Sequence, residues 1–539
     1  MTAAIPHRTM SGPITLNGEV TMSGLAGAGM TISDQLARHA RKIPDEIALR
    51  HGEVSHSYAE FDERVTRLAN ALRERGLGEG DRYAVATVNH LETIEAFVAG
   101  ARIGAICVPI NFRLVADEIA YALNDSGASA VITDSALAEG VAQARLQAPE
   151  TRFALVIGRG DAGAESVAFE DALAGASAER VEVDVDLSSP AFIMYTSGTT
   201  GRPKGAVLTH HNLLMHTFSL LVHNGVSEDD RVYLVGVPLF HIAGVSGLMG
   251  PLLRGGRIVL SSSGQFDPRE TVALLARERI SGCFFVPAQW QAICSLPDVA
   301  EYDLSALRRI SWGAAPASTT LLRQIMETFP QAELSTVFGQ TECSPVTTAL
   351  RGEDAIRKIG SVGTPMLNVE VRVVDDEMND VARGEVGEIV YRGPTVMREY
   401  WNKPEETAEA FRGGWFHSGD LVRQDDEGYL YVVDRKKDMI ISGGENIYCA
   451  EVEEALSGHP KIGEVALIGV PDPRWGEAPL AVIAPRDPAD PPTDEDVETW
   501  CRARLAGYKR PRQIRLVEQL PRNPSGKVLK TTLRAEYRD

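Results

Sequence analysis

Apolar and polar positions follow two rhythms along this chain. Between 59 and 75, Phe61, Val65, Leu68, Ala69 and Leu72 recur at the spacing of one helical face, which predicts a helix there. A second helical stretch is expected over 91–103. Short unbroken apolar runs at 82–87, 105–110, 130–133 and 153–157 read as buried strands. This alternation through the first 430 residues argues for βαβ units and parallel-rich sheets flanked by helices, an α/β fold.

Past Asp434 the rhythm changes. Helical signals at 450–457 and 493–505, strands at 464–470 and 480–484, and a Pro/Asp-rich turn over 485–492 suggest a small α+β unit. A chain of 539 residues is too long for one core, so two domains fit its length. The string Asp434-Arg435-Lys436-Lys437-Asp438 marks the boundary, because a run of charges suits a solvated hinge rather than a core. The division expected is a tail over 1–30, a large domain over 31–434, a hinge at 435–438 and a lid over 439–539.

Composition removes some function classes. A net charge of −20 argues against general affinity for nucleic acid or anionic membrane. The six cysteines are scattered with no C-x-x-C pair, which suggests neither a zinc site nor a disulfide framework and suits a cytoplasmic protein. The stretch 232–253 carries no acidic residue, lysine or arginine. It contains Pro238, Pro251 and His241, so a buried strand–loop–helix is expected rather than an integral membrane segment.

The chemistry begins at Thr196-Ser197-Gly198-Thr199-Thr200-Gly201-Arg202-Pro203-Lys204-Gly205. Glycines let main-chain N–H groups approach an anion, hydroxyls add donors, and Arg202 and Lys204 add positive charge. Apolar runs flank it on both sides. It is not a Walker A loop.

This string resembles the phosphate loop of the adenylate-forming superfamily. Further motifs follow in that family's order: Pro238-Leu239-Phe240-His241, Gly313-Ala314-Ala315-Pro316, Phe338-Gly339-Gln340-Thr341-Glu342, His417-Ser418-Gly419-Asp420, Asp434 to Asp438, and Pro521-Arg522-Asn523-Pro524-Ser525-Gly526-Lys527. The resemblance implies ATP, Mg²⁺ and coenzyme A as cofactor and substrates, with a carboxylic acid converted through an acyl-adenylate to a thioester. It implies that Lys527 bridges carboxylate and α-phosphate, that Glu342 holds the metal and that Thr341 touches the α-phosphate. Asp420 and Arg435 would hold the ribose. Gly313, Ala314, Ala315, Pro316, Phe338, Gly339 and Gln340 would surround the nucleotide, and His241 would sit near the acyl carboxylate. Lys437 matches the hinge position, and Gly443, Gly444 and Glu445 the pantetheine channel. Lys509 and Arg510 are candidates to meet coenzyme A phosphates. A catalytically dead nucleotide-binding protein would be expected to lack Lys527, Glu342 or Asp420, and all three are present.

The acyl pocket is expected near Val245, Val286, Trp312 and Val346, with 284–290 as one wall. These segments carry no charged residue besides Glu342, so an uncharged apolar acid fits. The motifs look closest to actinobacterial fatty-acid–CoA ligases, although Val245 stands where some long-chain enzymes place a tryptophan gate. Small residues such as Gly244 and Ala288 would admit alkyl or ring-shaped acids. A medium- or long-chain fatty acid is the expected substrate. An aryl or cinnamate-type acid, or a carrier protein as acceptor in trans, is the alternative, and a homodimer is left open.

Overall fold

The computed structural model describes residues 30–181, 183–196, 202–264, 266–313, 317–352, 354–442, 445–522 and 527–537. The tail expected over 1–30 lies outside these residues except for Met30.

The helix expected over 59–75 spans Tyr58–Glu74. Ser57 starts it: its hydroxyl accepts the Glu60 N–H at 3.2 Å while the Glu60 carboxylate accepts the Ser57 N–H at 2.7 Å. Its apolar face, Phe61 to Leu72, is fully buried.

Among the described residues, two large sheets carry the N-terminal domain. One runs through Lys204–Thr209, Pro190–Thr196, Ile106–Pro109, Arg82–Ala86, Ala130–Asp134 and Phe153–Ile157. In the other, Val232–Val235, Arg257–Leu260, Gly282–Phe285, Arg309–Gly313 and Glu333–Gly339 all lie parallel. Parallel strands expose their carboxyl ends along one edge, where an α/β sheet binds its ligands. The stretch 232–253 resolves into strand Val232–Val235 and helix Ile242–Arg254. No helix among the described residues is long and apolar enough to cross a membrane.

The alternation expected through residue 430 ends earlier. Glu370–Val374, Val386–Arg392, Phe416–Gln424 and Leu430–Arg435 form an antiparallel sheet. Antiparallel neighbours need no crossover helix: Phe416–Gln424 turns directly into Leu430–Arg435 through Asp425–Tyr429, whose backbone closes on itself at 2.9 Å. The small C-terminal domain is built on Ile462–Asp472 paired antiparallel with Gly476–Pro485, flanked by helices Cys449–Ser457 and Asp494–Arg502.

Two departures concern the expected acyl wall and hinge. Phe285 and Trp290 belong to a core layer: Trp290 is 0% exposed, packs edge-on against Phe285 and Phe329, and donates its indole N–H to Ser311 O at 3.1 Å. Asp434, the first charge of the string at 434–438, is buried at the end of Leu430–Arg435. Its carboxylate receives the Arg435 N–H at 2.7 Å and is further stabilised by the N–H groups of Cys449 and Ala450, which open the helix Cys449–Ser457. Burial still raises its pKa. These amides offset part of the cost of burial, Oδ2 has no hydrogen-bond partner among the described residues, and Lys437 stays exposed.

Trp290→Ala is expected to lower stability by about 3–5 kcal/mol through cavity formation, read as a lower thermal midpoint, while relative rates on different acids stay the same.

Candidate active site

The loops leaving the carboxyl edge of the parallel sheet bring the expected residues together. Glu333–Gly339 runs into the short turn Thr341–Cys343. Gly339 makes that passage with φ +153°, and a Cβ there would lie 2.0 Å from Pro345 O, so only glycine fits. The turn delivers Glu342, which is 8% exposed. Its Oε1 accepts the Tyr400 hydroxyl at 2.9 Å and the Thr196 hydroxyl at 3.4 Å. Thr196 ends the strand Pro190–Thr196, and Lys204 opens its antiparallel partner. The end of this strand pair thus lies beside Glu342. Phe338, Gln340 and Thr341 are half-buried at the same edge.

Asp420 lies on the antiparallel sheet opposite Arg435. It is 3% exposed, and its Oδ1 stands 2.5 Å from the Arg435 guanidinium. Burial raises the carboxyl to about 6 despite the opposing pull of Arg435 and Lys527. The turn that aims Asp420 is held by Glu388, a buried residue that the sequence reading missed. One Glu388 oxygen accepts the Gly419 N–H at 3.0 Å; the other receives His417 Nδ1 at 3.0 Å and Lys436 Nζ at 3.2 Å. Gly419 O in turn accepts the Lys436 N–H at 2.9 Å.

Lys527 comes from the C-terminal domain, over a hundred residues beyond Asp420 in sequence. Its ammonium enters the same cleft, within electrostatic reach of Arg435, Asp420, Glu342 and Lys437. Poor hydration, with added repulsion from Arg435, lowers its pKa, while the two carboxylates pull it back up. His241 caps the helix Ile242–Arg254 and is solvent-accessible. Its Nδ1 accepts the Ala243 N–H at 3.2 Å, which places the proton of the neutral ring on Nε2. Neighbouring groups and the positive charge of Lys527 hold its pKa below the ordinary value, and the neutral ring presents Nε2–H as a donor. Asn89 fixes the loop before it, accepting the Leu239 N–H at 2.9 Å and donating to Val237 O and Ser261 O at 3.2 Å each.

The other expected residues divide. Gly313 ends its strand so close to its neighbour that a Cβ would lie 2.7 Å from Val337 O. Ser197, Gly198, Thr199, Thr200, Gly201, Ala314, Ala315, Pro316, Gly443 and Gly444 lie outside the described residues. Glu445 is exposed on the strand Glu445–Ile447. Val245, Trp312 and Val346 are 1%, 5% and 6% exposed and pack into the core, whereas Val286 is half-buried. Gly244 does not widen a pocket, because a Cβ there would meet Pro238 O at 2.4 Å. Lys509 and Arg510 are engaged by Glu451 and Glu498, at 2.7 and 2.9 Å.

Chemically, the site gathers the cationic side chains of Lys527, Arg435 and Lys204, the carboxylates of Glu342 and Asp420, and a neutral imidazole donor. That set suits the gathering of two anions around a transferring phosphoryl group.

Comparison with known proteins agrees with this geometry. Residues 36–401 match the model of the AMP-binding enzyme family and 451–527 that of the AMP-binding enzyme C-terminal domain. A feruloyl-CoA synthase of Amycolatopsis sp is 43% identical over 93% of this chain and 98% of its own. A long-chain-fatty-acid–CoA ligase of Mycobacterium tuberculosis is 38% identical over 90% and 94%. The solved O-succinylbenzoate coenzyme A synthetase of Bacillus subtilis, in complex with ATP and magnesium ion, superimposes with a TM-score of 0.81 at 30% identity, covering 94% of this chain and 99% of that one. The chain belongs to the AMP-binding, adenylate-forming enzyme family, in its acyl-CoA ligase branch.

Proposed function

We propose that this acyl-CoA ligase activates an uncharged aromatic acid of the hydroxycinnamate class, and that the residues gathered in the cleft divide the work as follows. The carboxylate oxygen attacks the α-phosphorus of ATP and pyrophosphate leaves; the coenzyme A sulfur then attacks the adenylate carbonyl and AMP leaves. The observation that carries this reading is Lys527, arriving from the second domain beside Glu342, Asp420 and Arg435.

Lys527 spans the two reacting anions, a task of charge and orientation. Thr196, Lys204 and Thr341 hold phosphate oxygens. Asp420 accepts the ribose hydroxyls with Arg435 beside it, and Gly313, Phe338, Gly339 and Gln340 border the nucleotide. His241 donates Nε2–H to the acid. Glu342 fits Mg²⁺, which favours few carboxylates beside phosphates: its Oε2 accepts no hydrogen bond from a described residue. When bound, the metal neutralises phosphate charge. Lys437 is the pivot about which the lid turns for thioester formation, bringing Glu445 to the pantetheine.

One observation favours an aromatic acid over the fatty acid expected from the motifs: the feruloyl-CoA synthase shares more identity with this chain than the long-chain ligase does. A fatty acid remains the second reading, supported by the mycobacterial relative.

Pyrophosphate release with ATP and Mg²⁺ is expected to be stimulated by coenzyme A and to peak on coumarate- or ferulate-like acids. A peak on alkyl acids reverses the substrate assignment, and release indifferent to coenzyme A points to a carrier protein. Lys527→Ala is expected to slow adenylation by about 10²–10³-fold while thiolysis of supplied acyl-adenylate is little changed; equal loss of both half-reactions removes the assigned role. Because Asp420 must be ionised to accept ribose hydroxyls, affinity for a non-hydrolysable ATP analogue should fall as pH drops through about 6. Calorimetry measures this, and the slope left in Asp420→Asn reports the nucleotide's own titration.

A further inference from the structure

The two oxygens of Glu342 are not equivalent. Oε1 receives the hydroxyls of Tyr400 and Thr196, at 2.9 and 3.4 Å, and no described residue donates to Oε2. Of the two donors, Tyr400 is the well-placed one, since 3.4 Å is near the limit of a hydrogen bond. The main chain is fixed at the same place, because Glu342 O accepts the Met397 N–H at 2.7 Å.

Tyr400 is itself held rigidly. It lies on the short strand Glu399–Tyr400, paired with the strand that leaves the phosphate loop, opposite Ala206. It is 9% exposed, and the Lys204 ammonium lies over its ring, 5.2 Å from the centroid. One side chain therefore touches both the carboxylate read as the metal ligand and the lysine read as a phosphate contact.

We infer that Tyr400 is a positioning residue for the divalent cation: its hydroxyl occupies Oε1 of Glu342 and turns Oε2 toward the metal that accompanies the ATP phosphates. The inference rests on the metal role proposed for Glu342. A ligand oriented by an outer hydrogen bond binds its metal without first losing rotamer freedom.

Tyr400→Phe removes the hydroxyl and keeps the ring beneath Lys204. Mn²⁺ serves as the probe, titrated by electron paramagnetic resonance into full-length enzyme saturated with a non-hydrolysable ATP analogue. Tyr400→Phe is expected to weaken Mn²⁺ about 10–100-fold. The Mg²⁺ concentration for half-maximal pyrophosphate exchange should rise, with kcat recovered at saturating Mg²⁺. Adding Tyr400→Phe to Glu342→Gln should cost no further affinity, because both act through one carboxylate. Wild-type Mn²⁺ affinity in Tyr400→Phe, or additive losses in the double variant, overturns the inference. Wild-type affinity in Glu342→Gln overturns the metal reading of Glu342 and this inference with it.

Discussion

A carboxylate held out of water against a guanidinium, Asp420 beside Arg435 at 2.5 Å, is the interaction around which the cleft is organised. Two neighbouring strands carry the pair, so its geometry is set by sheet register rather than by flexible loops. With Asp420 buried and Arg435 40% exposed, the pair contributes little net stability, since desolvation of the carboxylate offsets most of the attraction. Its value lies in position. Arg435 lowers the cost of keeping Asp420 charged, and the same positive charge repels Lys527, which the carboxylates of Asp420 and Glu342 then hold in place. Removing any one of these charges alters the hydration balance of the others.

The large domain was legible because its core obeys simple periodicities. The apolar stripe from Phe61 to Leu72 and the run Phe153–Ile157 appear as a helix and a strand with hardly a residue's difference. The convergence of Glu342, Asp420, Arg435 and Lys527 was legible only through motif likeness, because no local pattern reveals that segments so far apart share a cleft. Tyr400 and Glu388 escaped notice for the same reason. Their meaning lies in hydrogen bonds to residues 58 and 31 positions away, and a tyrosine beside a strand or a glutamate in one carries no signal of that partnership.

Two misreadings have a common origin. Charge in a sequence string suggests solvent, and aromatic residues near a pocket motif suggest its wall. Asp434 is buried although its Oδ2 finds no hydrogen-bond partner among the described residues, with only part of the cost offset by the opening amides of a helix, and Trp290 is buried because its indole N–H finds a carbonyl. In both cases the surroundings come from another element, information that a linear reading does not contain.

The seat of Asp434 bears on how the enzyme changes between its two reactions. Its carboxylate belongs to the large domain, while the helix that steadies it belongs to the lid; Asp438 and Arg534, 3.0 Å apart, add a second tie near the pivot. In the proposed rotation Asp434 would exchange helix amides for water. Water solvates a free carboxylate far more strongly than a helix N-terminus attracts it, the latter being worth about 0.3–2 kcal/mol, so this contact favours the orientation that returns Asp434 to water. In the proposed cycle, the charges that arrive with ATP hold the lid against that pull, and their departure with pyrophosphate releases it.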